Sequence, residues 1–268
     1  MSFNNLKFEL LRRGSDSTLQ SCTNYTAPDR TIISDKEHVK DLGVTMSSDC
    51  TFREHINKIC QSARNMCSWI LRTFKSRSTD LMLTTWKSLV LPILDYCSQL
   101  WCPSKKGDIQ LLEEVQKSFT RKMRIGDRKN YWNRLSSLHL YSLERRRERY
   151  RIIYVWKILE GAVPNLTQNR IRSSTTPRNG RFCIVPRIKN NLPANLRDQR
   201  EGSLSVNGAL LFNKLPKEIR NLKGVSLAVF KEKLDEFLGT VPDEPQCCGY
   251  TASRRAKSNS LLHMIATV

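Results

Sequence analysis

Between Thr51 and Ile70 the apolar residues Phe52, Ile56, Ile59, Ala63, Met66 and Ile70 recur at alternating steps of four and three. Only a helix collects residues so spaced onto one face; a strand would scatter them over both. Thr51 and Glu54 have the spacing of a capping box, which places the start of that helix. A long amphipathic helix must bury its stripe against partners, so the rest of the chain is read for elements able to cover it.

More helices follow. One is expected from Ser78 or Thr79 to Tyr96, bent at Pro92, which has no N–H to give to the preceding turn. Ile109, Leu112, Gln116, Phe119 and Met123 mark another. A short one spans Tyr131 to Leu138, and a fifth runs from Ser142 to Glu160, stopped by Gly161. A last amphipathic helix starts at a Ser226 cap and carries Leu227, Phe230, Leu234, Phe237 and Leu238.

The first 46 residues read differently. Lys7 to Leu11, ended by Gly14, and Val39 to Met46 are candidate strands, with turn chemistry at Pro28-Asp29-Arg30 between Tyr25 and Ile32-Ile33. Gly43 inside the second strand suggests a bulge or a close backbone approach. Residues 162–203 lose the helical period and hold one strand-like run, Arg181 to Val185, so they read as an extended basic connector. The fold class is therefore mainly α. A small N-terminal β portion occupies 1–46 and a helical bundle 47–161; the basic connector spans 162–203, C-terminal helices 204–241, and an unstructured tail 242–268.

Charge points to a class of partner. The net charge is +20, an excess that repels itself unless a polyanion neutralises it. It is unevenly placed: residues 1–50 hold 6 basic and 7 acidic groups, residues 104–160 hold 15 and 7, and residues 161–200 hold 8 and 1. Within the fifth helix Arg145, Arg146, Arg147, Arg149 and Arg151 crowd two turns, and Arg145 and Arg149 share a face at i and i+4. Glu144 and Glu148 cannot neutralise all five, so Arg145, Arg146 and Arg149 are expected to face phosphates together, with Leu143, Tyr150, Ile153, Tyr154 and Ile158 anchoring the other side.

Other chemistries find little support. Cys60 and Cys67 share a helix face without further ligands and read as core residues; Cys97 and Cys102 lack partners too, and no later cysteine follows Cys247-Cys248 and His263. No metal or cofactor is implied. His38, His55, His139 and His263 fall in no catalytic frame, and no phosphate-binding loop is present. The stretch Leu81 to Trp101 contains Lys87, Asp95, Gln99 and Pro92, better suited to a buried helix than to a membrane span. Nine irregularly spaced cysteines and no apolar leader fit reduced thiols inside a cell.

Several blocks, in order, resemble the end of the reverse transcriptase of LINE-like, jockey-type non-LTR retrotransposons. Val39-Lys40-Asp41-Leu42-Gly43-Val44 is similar to the primer-grip strand that closes the palm, and Phe52-Arg53-Glu54-His55-Ile56 to the start of the first thumb helix. Trp86 to Tyr96 followed by Leu100-Trp101-Cys102-Pro103 resembles a further block of the family, as do Leu112 to Gln116, Arg134-Leu135 with Leu138, and Leu143 to Arg146. Phe212-Asn213-Lys214-Leu215-Pro216 resembles a later element, with Phe where the family has Trp. The resemblance covers about residues 8–238 and implies a palm edge, a helical thumb and a post-thumb region supporting RNA or an RNA–DNA duplex. It assigns Leu42 and Gly43 to the primer side.

One departure matters. Polymerases of this family hold two magnesium ions with palm aspartates, two of them adjacent, and two-metal chemistry needs those carboxylates close together. This sequence has no Asp-Asp pair, and Asp16, Asp29, Asp35, Asp41 and Asp49 fall in turns or after the primer-grip block. The expectation is a non-catalytic fragment that binds nucleic acid, with no small-molecule substrate. The alternatives are a decayed copy of an element, a helical protein–protein adaptor, which would expose apolar patches, and a nuclease or polymerase with a carboxylate cluster formed only in space.

Overall fold

The computed structural model describes residues 7–13, 24–123, 130–164, 171–178, 180–189, 191–245 and 259–265. Gly14, Asp16, Arg170, Cys247 and Cys248 lie outside them. The described chain is mainly helical, with two small antiparallel sheets. It divides into two compact units, Met1–Ser62 and Ala63–Val268.

In the first unit, β1 (His38–Asp41) pairs antiparallel with β2 (Val44–Ser47). The expected single strand through Val39 to Met46 is therefore a hairpin, and Gly43 belongs to its turn rather than to a bulge. Leu42 and Gly43 have φ of 44° and 87°, and a two-residue turn with both central φ positive matches the twist of the strands it joins. Val44, Thr45 and Ser47 are buried while β1 is largely exposed. The Thr45 amide donates to Nδ1 of His55 at 3.3 Å, fastening β2 to the start of the long helix. Upstream, Thr26 and Ile32 form a bridge around Pro28-Asp29-Arg30, and Arg12 pairs with Asp35 at 2.7 Å.

The long helix α1 (Arg53–Thr73) forms where the periodicity places it, with Ile56, Cys60, Ala63, Cys67 and Ile70 buried along one face. The unit boundary falls within it. Next come α2 (Thr79–Thr85), a π turn (Trp86–Val90) and α3 (Leu91–Asp95). The expected bend near Pro92 takes this form: without a proline N–H the preceding register widens to a π turn. Then α4 (Ser98–Trp101), α5 (Lys106–Thr120), α6 (Tyr131–Ser137) and α7 (Leu143–Leu159) follow, and Trp86 stacks on Phe119 with ring centroids 5.1 Å apart.

The described residues between 171 and 203 hold more regular structure than an extended connector would. β3 (Arg172–Thr176) and β4 (Gly180–Ile184) form a hairpin, and α8 (Ala194–Glu201) follows. A π turn (Leu204–Gly208) leads into α9 (Ala209–Asn213), then α10 (Lys217–Arg220) and α11 (Leu227–Thr240). β4 packs on α9 and α10. Its outer edge is satisfied by side chains instead of a third strand. Asn213 accepts from the Cys183 amide at 2.6 Å and donates to its carbonyl at 2.8 Å; Asn221 accepts from the Arg181 amide at 2.8 Å. The strand-like run Arg181 to Val185 is thus β4, while β3 and these side-chain partners cannot be read from local periodicity.

The reading of an unstructured tail does not hold for residues 259–265. A short helix α12 (Leu261–Met264) is capped by Ser260, and Asn259, Ser260 and Leu261 are buried. Leu261 joins the second unit's core of Ile152, Val155, Trp156, Leu211, Phe212, Phe230, Leu234 and Leu238. Apolar Leu261-Leu262 gives this segment something to bury, which the polar residues before it obscure.

Candidate nucleic-acid interface

The arginine helix is the first place to look, and it is not an open basic face. α7 starts at Ser142, whose hydroxyl accepts from the Arg145 amide at 3.1 Å. Its second half supplies Ile152, Ile153, Val155, Trp156 and Ile158 to the core. In the first half Arg145, Arg147 and Arg151 are also buried, at 0%, 2% and 2% exposure.

Each has a structural environment. Arg145 donates to the carbonyls of Val241, Pro242 and Asn259 at 3.2, 2.9 and 3.1 Å. Arg151 donates to Asn207 and to the Gly202 carbonyl, both at 2.7 Å. Arg147 lies in the field of Asp95, Glu113 and Glu144. Arg146 and Arg149 are half-buried. Arg146 pairs with Asp95 at 2.7 Å, and Arg149 forks onto both oxygens of Asp235 at 2.5 and 2.6 Å. Burial drives the Asp95 pKa up, against the opposing pull of Arg146.

The expectation that Arg145, Arg146 and Arg149 turn together toward phosphates therefore fails. Arg145 and Arg149 do share a direction, but it is inward, toward α11 and the segments after it. Counting charges within the helix missed Asp95, Asp235 and Asp243, which lie far away in sequence. Leu42 and Gly43 sit at the tip of the β1–β2 hairpin, with Leu42 84% exposed. They are in the first unit, and the arginines of α7 are in the second.

The exposed cations lie elsewhere. On the β3–β4 hairpin, including its turn, and in the irregular stretch after it, Arg172, Arg178, Arg187 and Lys189 are all exposed. No acidic residue occurs between 161 and 197. Arg181 is the exception on the hairpin: it is buried and pairs with Glu160 at 2.6 Å; against the desolvation that opposes them, the Gly224 amide and then Arg181 hold the Glu160 carboxyl below its usual range. Arg220 donates to the Arg181 carbonyl at 2.7 Å. Gly180, at φ 65°, fits where a Cβ would meet Asn221 Oδ1 at 2.6 Å. The hairpin is thus built on a fixed base with its charged side chains outward. A rigid base lets the cations meet a phosphate backbone at low ordering cost.

Among the described residues no group of three or more His, Cys, Asp or Glu could hold a metal ion, and no helix is long and apolar enough to cross a membrane. Cys60, Cys67 and Cys183 are buried, as read for the first two; burial pushes the Cys67 and Cys183 thiols up to about 12, so neither is a ready nucleophile.

No family model matches the chain, and no solved structure does. The chain is similar to an uncharacterized protein of Caenorhabditis elegans, with 29% identity over 85 residues. That stretch is 32% of this chain and 43% of the worm protein, so the chain spans less than half of that relative's length.

Proposed function

We propose that the chain is a non-catalytic nucleic-acid-binding piece of a non-LTR retrotransposon reverse transcriptase, with a thumb-like helical bundle and a basic post-thumb hairpin. Its partner is RNA or an RNA–DNA duplex, held by the phosphate backbone without reading bases. The observation that carries the reading is the exposed set Arg172, Arg178, Arg187 and Lys189, in a stretch free of acidic residues and supported from behind by α9 and α10. The ordered sequence blocks supply the family, and the missing Asp-Asp pair removes polymerisation. In this reading Leu42 and Gly43 contact the primer side from their hairpin tip.

The test uses fluorescence anisotropy of a labelled RNA–DNA duplex at low salt. The whole chain binds, and replacing Arg172, Arg178, Arg187 and Lys189 together with Ala weakens binding alike for unrelated base sequences. Binding left unchanged by those replacements overturns the assignment of the interface. Separately, primer extension with magnesium should stay at the no-protein level.

A second reading, the helical adaptor, is favoured by one observation. Leu89, Tyr96 and Leu100 are 36%, 53% and 58% exposed around the π turn, α3 and α4. Apolar side chains grouped this way can mark a protein-binding surface. Tyr96→Glu with Leu100→Glu would leave duplex binding intact under the first reading.

A further inference from the structure

The two faces of the β3–β4 hairpin are unlike. Arg181 and Cys183 of β4 turn inward: Arg181 pairs with Glu160, and Cys183 belongs to the core of the second unit. Side chains alternate along a strand, so Phe182 and Ile184 stand on the opposite, outer face. Ile184 is 49% exposed and Phe182 is half-buried. The register sets Ser174 across from Phe182, Arg172 across from Ile184 and Thr176 across from Gly180. Toward the turn, then, the neighbours of the Phe182 ring on this sheet face are small: Ser174 opposite, Thr176 on the diagonal and no side chain at Gly180. The inner face, with Asn213 and Asn221 along the edge of β4, holds this outer face still.

Cations bracket the apolar pair. Arg178 lies in the turn at one end and Arg172 at the other, where Arg187 and Lys189 follow as the chain leaves β4. No acidic residue occurs between 161 and 197, so nothing in this stretch repels a polyanion lying along the hairpin. Such a polyanion passes the ring on its way from one cation to the next. A duplex offers phosphates there but keeps its bases stacked on one another. An unpaired strand offers phosphates and free π faces in the same repeat, which is the combination that an aromatic ring flanked by cations matches.

We propose that the outer face of the β3–β4 hairpin is a stacking platform for an unpaired nucleic-acid strand, with Phe182 beneath a base, Ile184 extending the apolar surface and the flanking cations on the phosphates. This rests on the interface proposed above and goes further, from backbone contact to a preference for single strands. Every base has a π face, so the platform adds affinity without reading sequence. Its fixed backing keeps the ordering cost of binding low.

Fluorescence anisotropy on the whole chain tests this with labelled probes of equal length: an unstructured RNA strand, a sugar–phosphate strand without bases, and an RNA–DNA duplex. The RNA strand should bind about tenfold or more tighter than the baseless strand of the same charge. Phe182→Leu keeps apolar bulk but removes the π face. It should bring the RNA strand close to the baseless level while duplex affinity and the salt slope stay unchanged, since no charge is altered. Phe182→Tyr keeps a ring and should keep the preference. Equal affinity of the unaltered chain for the strands with and without bases overturns the proposal, and that comparison needs no variant. So does Phe182→Leu retaining the preference, or Phe182→Tyr losing it. Duplex binding without any preference for bases overturns this inference alone; failure to bind all of the probes overturns the interface beneath it.

Discussion

Two arginine-rich stretches, the start of α7 and the β3–β4 hairpin with the residues that follow it, look alike in charge and differ in where that charge points. In α7 the guanidiniums are drawn inward by carbonyls of the C-terminal segments and by Asp95, Asp235 and Asp243. On the hairpin only Arg181 turns inward, to Glu160, while Arg172, Arg178, Arg187 and Lys189 stay in solvent. A row of arginines is a phosphate surface only when the tertiary fold leaves it without acidic partners. Otherwise the same residues become polar rivets of a core, where they stabilise only if hydrogen-bonded throughout.

The contrast can be broken most directly at Arg145. Arg145→Ala orphans three carbonyls and leaves Asp243 with less compensation. It should cost about 3–5 kcal/mol in denaturant unfolding, the scale for losing a buried charged partner. A loss below about 1 kcal/mol would mean that Arg145 is not a rivet and that the two stretches differ less than described.

Leu261→Ala probes the same junction from its apolar side. The residue is fully buried in the core of the second unit, and the expected loss is about 2–4 kcal/mol. An effect near zero would detach α12 from the core and remove the reason that α7 is covered. Asp235→Asn is milder. Asp235 is 39% exposed and its bond to Arg149 is screened by water, so about 1 kcal/mol or less is expected. Mutating Arg178 or Arg187 to Ala should change stability least, by under about 0.5 kcal/mol each, as for exposed side chains without a structural role.

Much of the helical frame was legible beforehand. The stripe from Phe52 to Ile70, the Ser142 and Ser226 caps and the apolar side of the last long helix each depend on neighbours within a turn or two, and local spacing reports them. Of the β3–β4 hairpin, β4 was legible as the strand-like run Arg181 to Val185, but β3 and the pairing were not, because β4 takes its edge partners from Asn213 and Asn221, some 30 and 40 residues on. The β1–β2 turn was misread for a related reason. Gly43 signalled a special backbone, but only the pairing of Asp41 with Val44 distinguishes a turn from a bulge. For the candidate interface, counting charges within α7 did not reveal that Asp95, Asp235 and Asp243 turn its arginines inward. The absence of acidic residues from 161 to 197 is the sequence signal that matches the exposed cations seen there.

The proposal that the hairpin stretch and not α7 meets nucleic acid is tested most directly by counting released counterions. The measurement is the slope of log affinity against log salt for an RNA–DNA duplex. It compares the whole chain with the variant carrying Arg172→Ala, Arg178→Ala, Arg187→Ala and Lys189→Ala. The slope should flatten by roughly three units if each cation neutralises about one phosphate. Far-ultraviolet circular dichroism should show the fold unaltered. An unchanged slope in a folded variant would contradict the account.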